Sequence, residues 1–240
     1  MGTDLCLCPP CDIILTVVTA SSVVQFRRNF REKRIPGYYS STLHFILTVV
    51  ASLIVAIYCI FHLHDVRPLE WLTIPISFLY ANLTEYVAHR YPMHRPMPGL
   101  RLVYAGHTLD HHHFFTHESM EMDGPRDMVI ILFPPVMLLL FFGVFGFPVA
   151  FLLGALISSN VGYLFLAVAM GYYFNYELFH LAYHMPKTSF VGRLPFMNRL
   201  RYLHMRHHDL QLMSRYCFNI TYPICDFLFG TLTPRARSHE

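Results

Sequence analysis

The sequence predicts an all-α integral membrane protein in which four transmembrane helices form two hairpins beneath a cytosolic helical cap. Hydrophobic residues make up 54% of the 240 residues and charged residues only 14%, with a mean hydropathy of +0.39. Four apolar stretches approach the ~20 residues that a membrane helix needs. All but Arg67 of the 18 lysines and arginines lie in segments that precede, separate or follow the two hairpins.

The N-terminal segment 1–42 contains an apolar stretch at 12–26 and a basic block at 27–34. The apolar stretch is shorter than the ~20 residues required to cross a bilayer, and no basic region precedes it as in a signal peptide. We therefore predict an interfacial helix followed by a basic segment. Cysteine usage, including the cluster at Cys6, Cys8 and Cys11, does not indicate a disulfide framework.

Residues 43–240 form the predicted membrane domain. A short polar turn around Arg67 separates the helices of the first hairpin. In the second hairpin, Pro134 and Pro135 should kink the first helix, and a turn is predicted between Gly143 and Pro148. The four helices are predicted at about 43–63, 69–88, 128–147 and 149–175.

The distribution of positive charge predicts the orientation of these helices. Cytoplasmic loops carry an excess of lysine and arginine, which places the segments 89–127 and 176–240 on the cytoplasmic face. The membrane would be the endoplasmic reticulum in a eukaryote and the inner membrane in a bacterium. A net charge of only +3, without a basic stripe of interleaved aromatic residues, argues against a nucleic-acid partner.

Histidine is the unusual residue, with 16 copies. Imidazole is a good ligand for iron, zinc, copper and nickel. Ten of the histidines cluster in the two predicted cytoplasmic segments, and ten imidazoles exceed what one ion can take. We therefore predict that the cap holds a histidine-rich site for two metal ions. The candidate ligands are His89, His94, His107, His111, His112, His180, His184, His204, His207 and His208.

Helical spacing predicts how these side chains are presented. Residues three or four apart share one face of an α-helix. His89 and His94 are five apart and would not face together on an intact helix, but Pro92 between them should break it. Adjacent residues such as His111 and His112 diverge by about 100° and so can serve two ions. By this spacing His107 pairs with His111, His180 with His184, and His204 with His207 and His208.

Several polar side chains near the clusters are candidates for orienting the imidazoles from behind. Histidine ligands commonly donate their second ring N–H to a carboxylate, a carbonyl or water. The candidates are Glu85, Asp110, Glu177, Asp209 and His113.

At these histidines the chain resembles the fatty acid hydroxylase/sterol desaturase superfamily. The resemblance spans about 70–234. The stretch 123–126 leading to Phe133, Pro134 and Pro135, and the closing segment 226–234, are similar to the fatty acid 2-hydroxylase branch. The motifs that carry it are His89-x4-His94, His107-x3-His111-His112, His180-x3-His184 and His204-x2-His207-His208.

The resemblance implies a helical membrane anchor beneath a cytosolic metal cap in which the ten histidines bind two iron ions. Such proteins can be isolated with zinc, which has no redox chemistry and should be inert in oxygenation. The middle motif has one residue more than the commoner spacing. The choice of ligands among His111, His112 and His113 therefore stays open at this point.

The implied activity is that of an O2-dependent lipid monooxygenase. Its substrate would be a fatty acid or the fatty acyl chain of a sphingolipid, and electrons would come from a separate cytochrome or ferredoxin/reductase. Aromatic residues near the cap either line a lateral lipid entrance or form an interfacial belt. These residues are Tyr86, Tyr91, Phe114, Phe115, Tyr172, Tyr173 and Phe174.

Other functions are compatible with the same motifs. The centre could oxidise a sterol, a sphingoid base, an ether lipid or a carotenoid. A metal transporter or metal-buffering protein would place ionisable residues near the midplane of its helices, whereas Glu85 lies near a helix end. A metal-dependent lipid hydrolase would be active with zinc and would need no oxygen.

Overall fold

The computed structural model describes residues 20–232, which form helices and turns without a β-strand, so the all-helical prediction is confirmed for this part of the chain. Predictions on residues 1–19 and 233–240, including the N-terminal cysteines, lie outside the described residues. Three single π-turns interrupt the helices: π1 (His89–Met93), π2 (Ala105–His111) and π3 (Phe142–Gly146). The helices are α1 (Ala20–Arg34), α2 (Ser41–Phe61), α3 (Thr73–Ala88), α4 (Arg101–Tyr104), α5 (His112–Phe114), α6 (Met128–Ile131), α7 (Pro135–Phe141), α8 (Phe147–Leu156), α9 (Ser159–His184), α10 (Met197–His207) and α11 (Ile224–Leu228).

Helix α9 is the central element, because it packs against α2, α3 and α8. Its start is set by Ser158, whose hydroxyl accepts a hydrogen bond from the Val161 N–H at 3.3 Å, as an N-cap residue does. Its last turns carry His180 and His184. The same rigid helix therefore forms the centre of the apolar bundle and positions two candidate ligands.

The crossing of α8 and α9 depends on glycine. A Cβ atom at Gly162 would lie 2.6 Å from the Ala150 carbonyl oxygen and 3.1 Å from the Gly154 Cα. Small residues allow helix backbones to approach closely where lipid gives no hydrophobic driving force. The second hairpin is therefore held together by backbone packing.

The first hairpin agrees with the predicted helices at 43–63 and 69–88, since α2 and α3 are joined through a 3-10 turn at Pro68–Leu72. The buried Glu70 carboxylate accepts hydrogen bonds from the Arg67 backbone N–H at 2.7 Å and from the Arg67 guanidinium. It also accepts from Ser158 and Asn160. This carboxylate ties the two hairpin turns to each other.

The predicted boundaries of the second hairpin are wrong. Instead of helices at 128–147 and 149–175, helical structure runs continuously from 135 to 156, and the turn lies at Ile157 and Ser158. Pro148 does not end the helix because it follows π3, where the regular i→i−4 bonds are already interrupted. The two prolines at 134 and 135 produce an extended break between α6 and α7 rather than a kink.

Two of the described segments are long and apolar enough to cross a membrane, namely Ser41–Phe61 and Pro125–Leu156. Large apolar side chains on them are exposed, including Phe61 at 77%, Leu139 at 74% and Phe151 at 79%. Exposed apolar area of this extent requires a partner or a lipid environment. The count of four spans and the cytosolic position of the cap stay predictions.

The basic block at 27–34 was predicted as a separate segment after an interfacial helix, and this prediction is wrong. The block forms most of α1. Arg31 pairs with Asp123 and Asp127, and Arg34 pairs with Asp110. The positive charges thus bind α1 to π2 and to the segment that connects π2 with α6.

Candidate metal centre

Ten buried histidine rings lie together within the cap, and they divide into two groups. In each group identified by ligand-atom spacing, the candidate ligand atoms lie within 4.8 Å of one another. His208 joins the second group, since its Nε2 lies 3.2 Å from the His111 Nε2 and 3.0 Å from the His204 Nε2. The first group is His89, His94, His107, His112 and His207, and the second is His111, His180, His184, His204 and His208.

The π-turns π1 and π2 explain why histidines five residues apart converge. A turn closed by an i→i+5 bond brings residues five apart onto nearly the same face. The Nε2 atoms of His89 and His94, at π1, are 3.3 Å apart, and those of His107 and His112, at π2, are 3.2 Å apart. Pro92 therefore lies within a π-turn rather than at the predicted helix break.

The π-turn also separates a pair that α-helical spacing had joined. His107 belongs to the first group, whereas His111 points to the second, where its Nε2 lies 3.2 Å from the His180 Nε2. The prediction that His107 and His111 share a face is therefore wrong. On the regular helix α9, His180 and His184 do lie in one group, at the i,i+4 spacing.

Backbone carbonyls orient five of the rings. In each pair the ring Nδ1 lies 2.5 to 3.1 Å from the carbonyl oxygen. A carbonyl oxygen can only accept, so each Nδ1 carries the proton and each Nε2 presents its lone pair to the other histidines. The pairs are His89 with Phe218, His111 with Ile130, His184 with Met120, His207 with Tyr216 and His208 with Phe115.

The facing nitrogens fit ligands of a metal ion. His111 and His208 both use Nδ1 on a carbonyl, yet their Nε2 atoms approach to 3.2 Å, where two lone pairs repel. A cation between the nitrogens removes this conflict. Two nitrogens at about 2.0–2.1 Å from one ion, at angles of about 90–109°, are roughly 2.8–3.4 Å apart. The structure meets this test, with contacts such as the 2.9 Å between His94 and His207 Nε2.

Burial keeps the rings in the form that binds metal. It lowers the pKa of both His89 and His111 to about 4. The pKa of His204 and of His207 is lowered well below the ordinary value, first by burial and then by neighbouring histidines. The rings are therefore neutral at pH 7, and only a neutral imidazole is a ligand.

Glu85 acts on a ligand through the backbone. Its carboxylate accepts hydrogen bonds from the Thr221 N–H at 3.0 Å, the Thr221 hydroxyl at 2.7 Å and the Ile220 N–H. These bonds hold the segment that follows Phe218, whose carbonyl orients His89. Glu85 is thus near the site, as predicted, but it does not orient an imidazole directly.

The other candidates for orienting imidazoles have different partners. Glu177 accepts from the Phe133 N–H at 3.2 Å, Asp110 pairs with Arg34, and Asp209 accepts from the Gln211 N–H at 2.9 Å. His113 directs its Nδ1 at the Thr108 carbonyl, 3.2 Å away, and its ring packs on Phe26. His112, not His113, lies in the cluster.

Sequence reasoning missed Asp226, which supports the same segment as Glu85. Its buried carboxylate accepts from the Phe218 N–H at 3.0 Å and the Asn219 N–H at 2.7 Å. The two carboxylates therefore hold four consecutive N–H groups, from Phe218 to Thr221. The signal in the sequence was an acidic residue within an otherwise apolar closing segment.

Arg27 was also missed, because the basic block was predicted only as a segment that follows an interfacial helix. Its guanidinium is buried and donates to the carbonyls of Phe114 at 2.7 Å, Ser119 at 2.6 Å and Glu121 at 3.1 Å. The loop held in this way contains the Phe115 and Met120 carbonyls that orient two ligands of the second group. Arg27 is therefore a positioning residue for that group.

An apolar cavity of about 110 Å³ reaches the first group at His89. Residues of α3, π3 and α9 line it, with α9 between the other two. Of the aromatic residues predicted near an entrance, Tyr172 and Tyr173 line the cavity. Tyr86 instead packs on Phe218 and Phe229.

Comparison with known proteins shows the fold. No family model matches the chain, and no curated protein matches its sequence. A solved structure of full-length Scs7p, in which only the hydroxylase domain is visible, has a TM-score of 0.58 at 20% identity. The match covers 88% of this chain and 78% of that one. The chain thus shares the fold of a hydroxylase domain, and the predicted resemblance is confirmed at the level of fold.

Replacing His112 should remove a metal ion, whereas replacing the neighbouring His113 should not. His112→Ala deletes a ring from the first group, while His113 lies outside both groups. We expect metal analysis to give two ions per chain for the wild type and for His113→Ala, and one for His112→Ala. Equal metal content in the two variants would contradict the assignment.

Removing the Arg27 guanidinium should weaken metal binding at the second group. Arg27→Met leaves the loop carbonyls without their donor, and loss of such supporting contacts typically costs about 10- to 100-fold in metal affinity. Arg28→Met is the matched control, because Arg28 pairs only with Glu32 on the exposed face of α1. Titration with a competing chelator measures both. Equal metal retention by the two variants would argue against the positioning role.

The metal-free protein should lose stability as the pH falls from about 6.5 to about 4. Folding lowers the pKa of His89 and His111 from 6.5 to about 4. In this window the unfolded chain binds protons that the folded chain does not. The free energy of unfolding therefore decreases as the pH decreases. These groups contribute no pH dependence above pH 7.5. Denaturation at several pH values tests this, and constant stability between pH 7 and 4.5 would contradict it.

Proposed function

We propose that the protein is a membrane-bound di-iron oxygenase that hydroxylates a C–H bond of a lipid, using O2 and external electrons. The substrate we propose is a fatty acid or the fatty acyl chain of a sphingolipid. The observation that carries the proposal is the cavity at His89, through which an apolar space between helices reaches the first of the two groups of neutral histidines. The shared fold with a hydroxylase domain supports it.

The donor set suits iron better than a hydrolytic metal. Catalytic zinc usually has three protein ligands and one open position, whereas each group here offers five imidazoles. Imidazole also suits iron. When bound, iron supplies the activation of O2 and the redox chemistry that side chains lack. Zinc would fill the same nitrogens without supporting turnover.

The chain itself contributes position and exclusion of water. Carbonyls hold five of the ten imidazoles in one tautomer and one orientation. All ten rings are buried, and the cavity wall beside His89 is formed largely by aromatic and small apolar residues. A dry pocket protects reactive species from side reactions and strengthens electrostatic interactions inside it.

The position of the cavity favours a substrate that arrives from a bilayer. Its walls come from α3 on one side and π3 on the other, and they include Tyr80, Phe145 and Ala169. Phe145 is itself exposed. A lipid chain can enter sideways between these elements without leaving an apolar environment. In this proposal α2, α3, α7 with α8, and α9 span the membrane, and the metal cap faces the cytoplasm.

The reaction needs electrons, which we assign to a separate cytochrome or ferredoxin/reductase. Oxidation of a sterol, a sphingoid base, an ether lipid or a carotenoid would use the same centre. Product analysis separates these substrates from a fatty acyl chain.

Lipid mass spectrometry under ¹⁸O₂ tests the proposed function. Iron-loaded wild type, supplied with a reductase system and mixed membrane lipids, should yield a hydroxylated lipid that carries label from the gas. His204→Ala removes a ring of the second group and should give only background. Zinc-loaded wild type is a second inactive control. No oxygen-dependent product from folded protein with two irons and a working electron supply would refute the hydroxylase.

A further inference from the structure

The wall of the apolar cavity at His89 is partly formed by π3, a single π-turn within a long apolar helix. Single π-turns are frequent at functional sites because they shift side chains out of the regular helical register. Phe142 opens this turn and Gly146 closes it, and both line the cavity. Phe142 is buried and its ring meets that of Tyr173, another wall residue, at 5.8 Å.

The Phe142 ring occupies space that any residue other than glycine would need at position 146. A Cβ atom there would lie 2.7 Å from the Phe142 Cδ1, a distance that real Cβ atoms do not show. The second glycine of the turn is different, because a Cβ at Gly143 would meet nothing within 4 Å. The requirement for glycine at 146 therefore comes from the Phe142 ring and not from the π-turn itself.

A methyl group at 146 would push the Phe142 ring toward the cavity. Away from the cavity, the ring packs in a buried cluster with Cys59, Ala150 and Phe165. Protein interiors are close-packed and yield little, so the open space is the direction of least resistance. In a cavity of only about 110 Å³, such a displacement removes a substantial part of the passage.

We propose that Gly146 and Phe142 together set the width of the cavity and thereby select lipids by cross-section. The pair admits a single unbranched alkyl chain and excludes branched chains and fused rings. This inference rests on the proposed function, since it assumes that a lipid passes through the cavity to the histidines. It adds a specificity determinant remote from the metal ligands.

Four variants test the pair: Gly146→Ala, Gly143→Ala, Phe142→Ala, and Gly146→Ala combined with Phe142→Ala. One readout is the lipid retained by purified protein, measured by mass spectrometry per mole of chain, which needs no turnover. The other is kcat/KM for an unbranched and a methyl-branched fatty acid of equal length. Metal content and thermal unfolding are measured for every variant.

Gly146→Ala should lower retained lipid and reduce kcat/KM for the unbranched chain by about tenfold or more, which is the effect of a mismatch of one methylene in an apolar pocket. Gly143→Ala should match the wild type in both readouts. Phe142→Ala should raise the branched-to-unbranched ratio of kcat/KM. The double variant should resemble Phe142→Ala, because the methyl group then has no ring to displace.

The outcomes separate this inference from the proposed function. If the wild type neither retains nor hydroxylates lipid, the proposed function fails. If the wild type is active but Gly146→Ala behaves like Gly143→Ala, the width inference is wrong. If Gly146→Ala proves unstable, Phe142→Ala still decides, because an unchanged branched-to-unbranched ratio would overturn the inference.

Discussion

The hydrogen bond between a ring Nδ1–H and a backbone carbonyl determines where five of the ten histidines point. It selects the tautomer whose Nε2 lone pair faces the other rings, which brings nitrogens such as those of His111 and His208 to 3.2 Å. Neutral imidazoles at that separation repel each other unless a cation lies between them. The geometry of the two histidine groups therefore fits sites for metal ions.

Charged residues support these carbonyls and stay away from the rings. Glu85 and Asp226 hold the peptides beside Phe218, and Arg27 holds the loop that includes Phe115 and Met120. A carboxylate against an imidazole would raise the pKa of the ring, and protonation of the ring competes with metal binding. The carbonyl hydrogen bonds also raise the pKa of His89 and His111, but burial lowers it by more, so these ligands stay neutral. Backbone carbonyls thus hold the rings directly, and Glu85, Asp226 and Arg27 hold the peptides around those carbonyls.

Much of the fold and site could be predicted from the sequence because the signals were local. Apolar length predicted the first hairpin, and the clustering of histidines predicted the residues that converge. The π-turns were missed because their i,i+5 spacing resembles a broken helix, and a proline at 92 strengthened that reading. The turn of the second hairpin was predicted at the wrong position, because Gly143 and Pro148 are stronger turn signals in the sequence than Ser158. Arg27 was missed because its partners lie about 90 residues away in sequence.

The central claim is that the ten histidines form two metal sites and not one cluster. Anomalous diffraction at the iron absorption edge, on crystals of iron-loaded protein, tests it most directly. We expect two anomalous peaks, one among the Nε2 atoms of the first group and one among those of the second. A single peak shared by both groups, or full occupancy at a position outside them, would contradict two separate metal sites.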